Sequence, residues 1–272
     1  MFSVSLFFHR FPLFRPIRRF LYSHSYAGVE KEAFGFNFRN PLGAAGTSMK
    51  DGSKIIAALS DFGYGFIEVD GNRDTIEDLK AGGSAVPVFA RLSISGANLT
   101  EDEIISSSDR LFSKLYDFAD AFVISRNPLD TNPLLTDEVF VGDLLDSLIT
   151  TRLSEEIYKP VLVKVEASIE RGMLETLLNY SRLSGIDGII VEGDSVDESM
   201  KTLAEIVRKT SGRFPVIVSA PFTNAQEASE ALAQGADLLI LRPFNGSPIP
   251  HPKGILRALE DDFLEKENPK QQ

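Results

Sequence analysis

Ionisable side chains stand inside or at the ends of several apolar runs in this sequence, and that is where its chemistry would be sited. In KPVLVKVEAS (residues 159–168) Lys164 interrupts the run of Val161, Leu162, Val163 and Val165. An unpartnered ammonium group is expensive to bury, and strands covered on both faces are near-continuous apolar runs. Carboxylates end similar runs: Glu68 and Asp70 in GFIEVDG, Glu166 after Lys164, and Glu192 and Asp194 in GIIVEGDS. Lys164 with Glu68, Glu166 or Glu192 would form an acid–base set, a cation aimed at an anionic group or electron-rich ring, or an internal ion pair with no ligand. Other chemistries are excluded by composition. The chain has no cysteine, so disulfides, thiolate metal ligands and a cysteine nucleophile are ruled out. His9, His24 and His251 show no metal-ligand spacing, and no metal site is expected.

The elements that must position these groups repeat. Strand-like runs occur at 41–46, 65–70, 86–95, 121–125, 161–167, 188–193, 215–221 and 237–243, each followed by a segment of helical period. Helix 101–118 places Ile104, Leu111, Leu115 and Phe118 on one face, and helix 136–158 does so with Phe140, Leu144, Leu148 and Ile149. Thr100 and Glu103 fit a capping box, and Gly63, Gly185 and Gly235 fall where left-handed C-caps are wanted. This alternation predicts an α/β protein, a (β/α)8 TIM barrel of one domain over residues 30–267, with a frayed tail at 268–272. The competing open doubly wound sheet normally carries G-x-G-x-x-G after its first strand, and none is present. Alternation along each strand turns Leu162, Lys164 and Glu166 inward and Val161, Val163 and Val165 toward helices. Phe66, Glu68 and Asp70 share the inward parity. Lys164 is therefore expected inside the barrel near its C-terminal mouth, paired with Glu68 or Glu166.

The chain of 272 residues is 43 % hydrophobic and 25 % charged, with a net charge of −11, as befits a globular domain able to bury a core. Residues 1–29 carry four arginines and no acid, so the remainder is more acidic still. An acidic body is poorly suited to neutralising phosphates, and no nucleic-acid partner is expected. The opening MFSVSLFFHRFPLFRPIRRFLYSHSY mixes phenylalanines with those arginines. Arg10, Pro12 and Pro16 break it too early for a membrane span, and it lacks a signal peptide's basic start. Three readings stay open for it: a peripheral contact with a membrane surface, an organelle transit peptide, or a helix under the barrel floor. The expected location is cytoplasmic, with peripheral attachment to the inner membrane through residues 1–29 under the first of these readings and an organelle under the second.

Several stretches, in order, resemble dihydroorotate dehydrogenase, a flavin mononucleotide (FMN) barrel enzyme. They are FGFNFRNPLGAAGTSMKDG (34–52), GYGFIEVDG (63–71), DFADAFVIS (117–125), KPVLVKVEAS (159–168), SGIDGIIVEGDS (184–195) and FPVIVSAPFTNAQEASEALAQGADLLILRP (214–243). The resemblance implies oxidation of dihydroorotate to orotate in pyrimidine biosynthesis, with FMN as cofactor. A basic, apolar extension such as residues 1–29 accompanies the membrane-associated class that passes electrons to quinone. By the same resemblance Lys164 lies beside the flavin ring, where a fixed cation stabilises the reduced form. Ala45 and Gly46 let backbone approach that ring, and Lys50 meets the substrate carboxylate; Arg242, in a stretch that replaces a phosphate-contacting one of the family, would supply compensating charge to the FMN phosphate.

Other motif positions depart from the family. Its Asn-x-Ser-Ser-Pro-Asn-Thr run, which carries the Ser or Cys base, aligns with SRNPLDT, so Pro128 falls at the base position. Ser125 and Asn127 are the remaining catalytic candidates. Thr-Asn-Thr-Thr is replaced by Glu192-Gly193-Asp194-Ser195, and the phosphate-binding Gly-Gly by Ala220-Pro221. The stretch from Gly71 to Val86 is too short for a polar segment the family has there. A divergent FMN enzyme, a non-catalytic homologue (a pseudoenzyme or binding module) and an unrelated reaction in a rebuilt mouth are the competing readings.

Overall fold

Eight parallel strands close into a barrel in the computed structural model, which describes residues 26–46, 56, 59–71, 84–95, 99–126, 137–242 and 251–267. A short antiparallel hairpin, β1 (Lys31–Ala33) and β2 (Phe36–Phe38), precedes it. Then come β3 (Leu42–Gly46), β4 (Phe66–Asp70), β5 (Val88–Ile94), α1 (Glu101–Tyr116), β6 (Ala121–Arg126) and α2 (Glu138–Leu153). The series continues with β7 (Val161–Glu166), α3 (Arg171–Ser184), β8 (Gly188–Glu192), α4 (Val196–Thr210), β9 (Val216–Ala220), α5 (Ala225–Ala233), β10 (Leu238–Leu241) and α6 (Lys253–Glu267). Neighbours around the ring run β3 to β10 in chain order, and β10 pairs with β3 to close it. Lys50, Asn127 and Pro128, residues 1–25 and the tail 268–272 lie outside the described residues.

Local chemistry sets the helix ends. Thr100 and Glu103 form the expected capping box at the start of α1, satisfying amides that a helix leaves without partners. Gly185 ends α3 with φ +78°, and Gly63 and Gly235 also take positive φ. The helix read at 136–158 stops earlier, at Leu153, where Ser154 caps it. The chain must turn extended before Pro160, because proline disfavours helix in the residue ahead of it.

Parity works as the alternation demands. Phe66, Phe89, Ala121, Val123, Leu162, Ile190, Ile217, Leu238 and Ile240 form one buried cluster inside the barrel. Val161, Val163 and Val165 join a separate cluster with the helices. The hairpin plugs the lower end. Phe38 packs edge-on against Phe66 with centroids 5.5 Å apart, Phe66 lies 5.0 Å from Phe89, and Phe36 lies 6.3 Å from Phe89. Aromatic pairs at such separations add to simple area burial.

The floor also carries a recurrent staple. Asp120, Asp187 and Asp237, each just ahead of a strand, accept the first amide of the preceding strand: Val88 at 2.8 Å, Val161 at 2.8 Å and Val216 at 2.9 Å. Their own amides return to the carbonyls of the same three valines. The β3–β4 pair solves the problem from the other side. Asn40 accepts from the Leu42 amide at 3.0 Å and donates to the Gly63 carbonyl at 2.8 Å. Gly65 holds the position of the aspartates, and a Cβ there would lie 2.1 Å from the Asn40 carbonyl oxygen.

That contact yields a comparison of two glycines. Gly65→Ala is expected to lower stability by about 1–3 kcal/mol, the usual range for overpacking a tight site. Gly172→Ala in α3, where a Cβ meets nothing within 4 Å, should instead stabilise by about 0.4–1 kcal/mol through the unfolded chain. Urea unfolding of both variants checks the pair, and equal effects would refute the assignment of Gly65 to close packing.

Candidate ligand site at the barrel mouth

Above the apolar layers the inner face turns ionic. Lys164 Nζ reaches across the barrel from β7 to Glu68 Oε1 on β4 at 2.5 Å, and sideways to Glu192 Oε2 on β8 at 2.8 Å. The lysine and Glu68 side chains are 4 % and 1 % exposed. Arg91 on β5 approaches Glu68 Oε1 at 3.3 Å and donates through Nε to Asp70 Oδ1 at 2.8 Å. On the far side, Arg242 Nη2 lies 3.8 Å from Glu192 Oε1, while its Nη1 donates to the Gly193 carbonyl at 2.8 Å and approaches Asp194 at 3.5 Å.

Three cations thus face four carboxylates, Glu68, Asp70, Glu192 and Asp194. Buried charge survives only when paired, and each positive group here has its partners within the protein. Glu68 Oε2 and the hydroxyl of Ser219 on β9 are buried with no hydrogen-bond partner among the described residues. Burial alone would raise the Glu192 carboxyl. The charge and hydrogen bond of Lys164, with Arg242 and Arg91 adding, overcome that and hold its pKa below the ordinary value.

A cleft of about 1020 Å³ opens over the β4–β8 side of the mouth, where Asp70, Arg91, Ser125, Lys164 and Glu192 line it. On the β9–β10 side the amides of Phe222, Thr223, Glu227 and Arg242 are engaged. Phe222 and Arg242 both donate to the Ala220 carbonyl, at 2.9 and 3.1 Å. Thr223 donates to Glu227 Oε2 at 2.7 Å, and Glu227 to Asn224 Oδ1 at 2.9 Å, so a carboxylate stands at the start of α5.

Comparison with known proteins bears on this arrangement. No family model matches the chain. The quinone-linked dihydroorotate dehydrogenase of Christiangramia forsetii is 24 % identical to it over 88 % of this chain and 86 % of the relative. That of Hamiltonella defensa is 25 % identical over 82 % and 84 %. Among solved structures, the dihydroorotate dehydrogenase of Eimeria tenella in complex with ferulenol superposes with a TM-score of 0.69 at 14 % identity, covering 95 % of this chain and 93 % of the other. The chain resembles the quinone-linked dihydroorotate dehydrogenases.

Against that resemblance, the residues singled out in the sequence fall as follows. Lys164 is inside, as alternation required. Glu68 is its partner, but Glu166 is not. As the last residue of β7 it clears the rim and pairs with Arg126 at 3.1 Å, leaving Glu192 in the second place. Ala45 faces the interior beside Glu68 in register, and Gly46 ends β3 beside Val69. Ser125 sits next to Lys164 in register, and its hydroxyl donates to the Arg126 carbonyl at 3.2 Å. Arg91 was not singled out in the sequence. Its signal was a lone arginine at inward parity in VPVFARLSIS, opposite two carboxylates on the neighbouring strand.

Two measurements test the network. Lys164→Met should destabilise the fold by up to about 3–5 kcal/mol, because Glu68 would stay buried with Arg91, at 3.3 Å, as its remaining cation. Adding Glu68→Gln should recover part of that loss in urea unfolding, whereas simple additivity would refute the coupling. The depressed Glu192 pKa carries a sign as well. Its contribution is full above the ordinary carboxylate range and is lost as pH falls through the lower, folded-state value. Glu192→Gln should therefore flatten the acid limb of a stability–pH curve, and an unchanged limb would contradict the assignment.

Proposed function

We propose that this protein is a dihydroorotate dehydrogenase-like barrel acting as a small-molecule-binding module, without flavin turnover. The observation carrying this reading is the closed ion-pair network of the mouth. Lys164, which the family resemblance sets beside the flavin ring, is neutralised by Glu68 and Glu192. Arg242, the residue aligned with phosphate binding, gives a donor to the Gly193 carbonyl and faces Glu192 and Asp194.

The described residues do not fit the FMN phosphate. A dianion needs free amides or an unbalanced cation, and Pro221 has no amide to give. The neighbouring amides of Phe222, Thr223 and Arg242 are engaged, with the Glu227 carboxylate among the acceptors. Losing one or two charge-assisted hydrogen bonds lowers affinity by about 1.5–3 kcal/mol each. Nor does Ser125 offer a base: its hydroxyl donates to the Arg126 carbonyl, and no side-chain proton acceptor among the described residues activates it.

One further reading has a specific observation behind it. The relatives are dihydroorotate dehydrogenases matched along most of their length, and Lys164 keeps its inward position. An active FMN enzyme would oxidise dihydroorotate and pass electrons to quinone, with residues 1–29 at a membrane surface. No helix among the described residues is long and apolar enough to cross a membrane; residues 1–25 lie outside them.

Titrating FMN into the purified protein separates the two. The expected result is no saturable binding below about 1 μM, equivalent to some −8 kcal/mol, and no orotate formed from dihydroorotate with a soluble quinone. Tight FMN binding accompanied by orotate formation would establish the enzyme reading in its place.

A further inference from the structure

Among the described residues the helix layer leaves a gap over β7. Outward-facing Val163 and Val165 keep 7 % and 5 % exposure, whereas Ile189, Val191, Val216 and Val218 on the next two strands keep none. The cleft of the mouth continues into this gap, between β7 and helices α2 and α3. There its wall is apolar, formed by Leu144, Leu145, Val163, Val165, Met173 and Leu177. One continuous space therefore has an ionic end and an apolar end.

The ionic end does not favour an anion. Its described cations are engaged: Arg91 with Glu68 and Asp70, Lys164 with Glu68 and Glu192, and Arg126 with Glu166. Glu170, the exposed N-cap residue of α3, also lines the cleft and makes no side-chain capping bond. Counting the lining residues, Asp70, Glu166, Glu170 and Glu192 outnumber Arg91, Arg126 and Lys164. Pockets of a few hundred cubic ångströms or more, mostly apolar with a few convergent polar groups, are the usual form of a small-molecule site.

We propose that this cleft binds an amphipathic small molecule, its apolar chain lying between β7 and helices α2 and α3 and a non-anionic, hydrogen-bond-donating head meeting the carboxylates of the mouth. The proposal rests on the reading that the mouth serves binding rather than flavin chemistry, and it names the class of ligand. A carboxylate or phosphate head would meet surplus negative charge. An amine or alcohol head would find acceptors instead.

Isothermal titration calorimetry with dodecylamine, dodecanol and dodecanoate, each below its micelle concentration, tests it on the full chain. Dodecylamine and dodecanol should bind saturably, one per chain, with a negative heat-capacity change from apolar burial. Dodecanoate should bind at least about tenfold more weakly, roughly one charge contact's worth. Met173→Trp and Val141→Phe, on the two helices flanking the gap, should each weaken dodecylamine by about tenfold or more. Glu170→Gln should narrow the preference for amine over carboxylate. Equal binding of dodecanoate would overturn the proposal. So would wild-type affinity for dodecylamine in both gap-filling variants, provided their melting temperatures show that they fold. If neither FMN nor dodecylamine binds, the ligand class alone is wrong. FMN binding below about 1 μM would overturn the underlying reading and this proposal with it.

Discussion

A positive charge on the inner face of a barrel has to be answered from across the lumen or from the next strand, and much of the mouth follows from that requirement. Lys164 takes both answers, Glu68 opposite and Glu192 beside it. Glu68 then needs more positive charge than one lysine gives, and Arg91 approaches it. Glu192 is likewise shared with Arg242. The network ties β4, β5, β7, β8 and the end of β10 together at one height. Such networks are individually weak evidence for stability, but removing any member strands another. Charge balance is therefore what joins these strands at the mouth.

Much of the architecture was legible in the chain. Period-two alternation turned Lys164 inward, and the glycines and capping residues marked helix ends, because each of these signals is local. What could not be read was which residues meet across the ring. Strand register decides that, and it is set by packing between segments far apart in sequence. Glu166 and Glu192 looked equivalent as strand-ending carboxylates, yet one clears the rim and the other reaches the lysine. Arg91 went unnoticed for the same reason, since nothing near it in VPVFARLSIS announces its partners on β4.

The resemblance to dihydroorotate dehydrogenases and the departures from their motifs describe different parts of the molecule. The likeness covers most of the chain, whereas the departures are read from a few short motifs in the sequence. In a barrel these parts are separable, since the floor sustains the fold and the upper loops carry chemistry. A likeness spread along most of the chain thus speaks for the scaffold.

The aspartate staples of the floor have a bearing on how the barrel assembles. Each joins the start of one strand to the residue ahead of the next, over separations of 32, 26 and 21 residues. Contacts that close short loops lose less chain entropy than long-range pairings and favour fast folding. A ring whose closure between β10 and β3 pairs Leu239 with Leu42 can therefore be built from strand–helix–strand units, three of them latched at the base by these aspartates. The closing seam is then the one pairing that must wait for all the others.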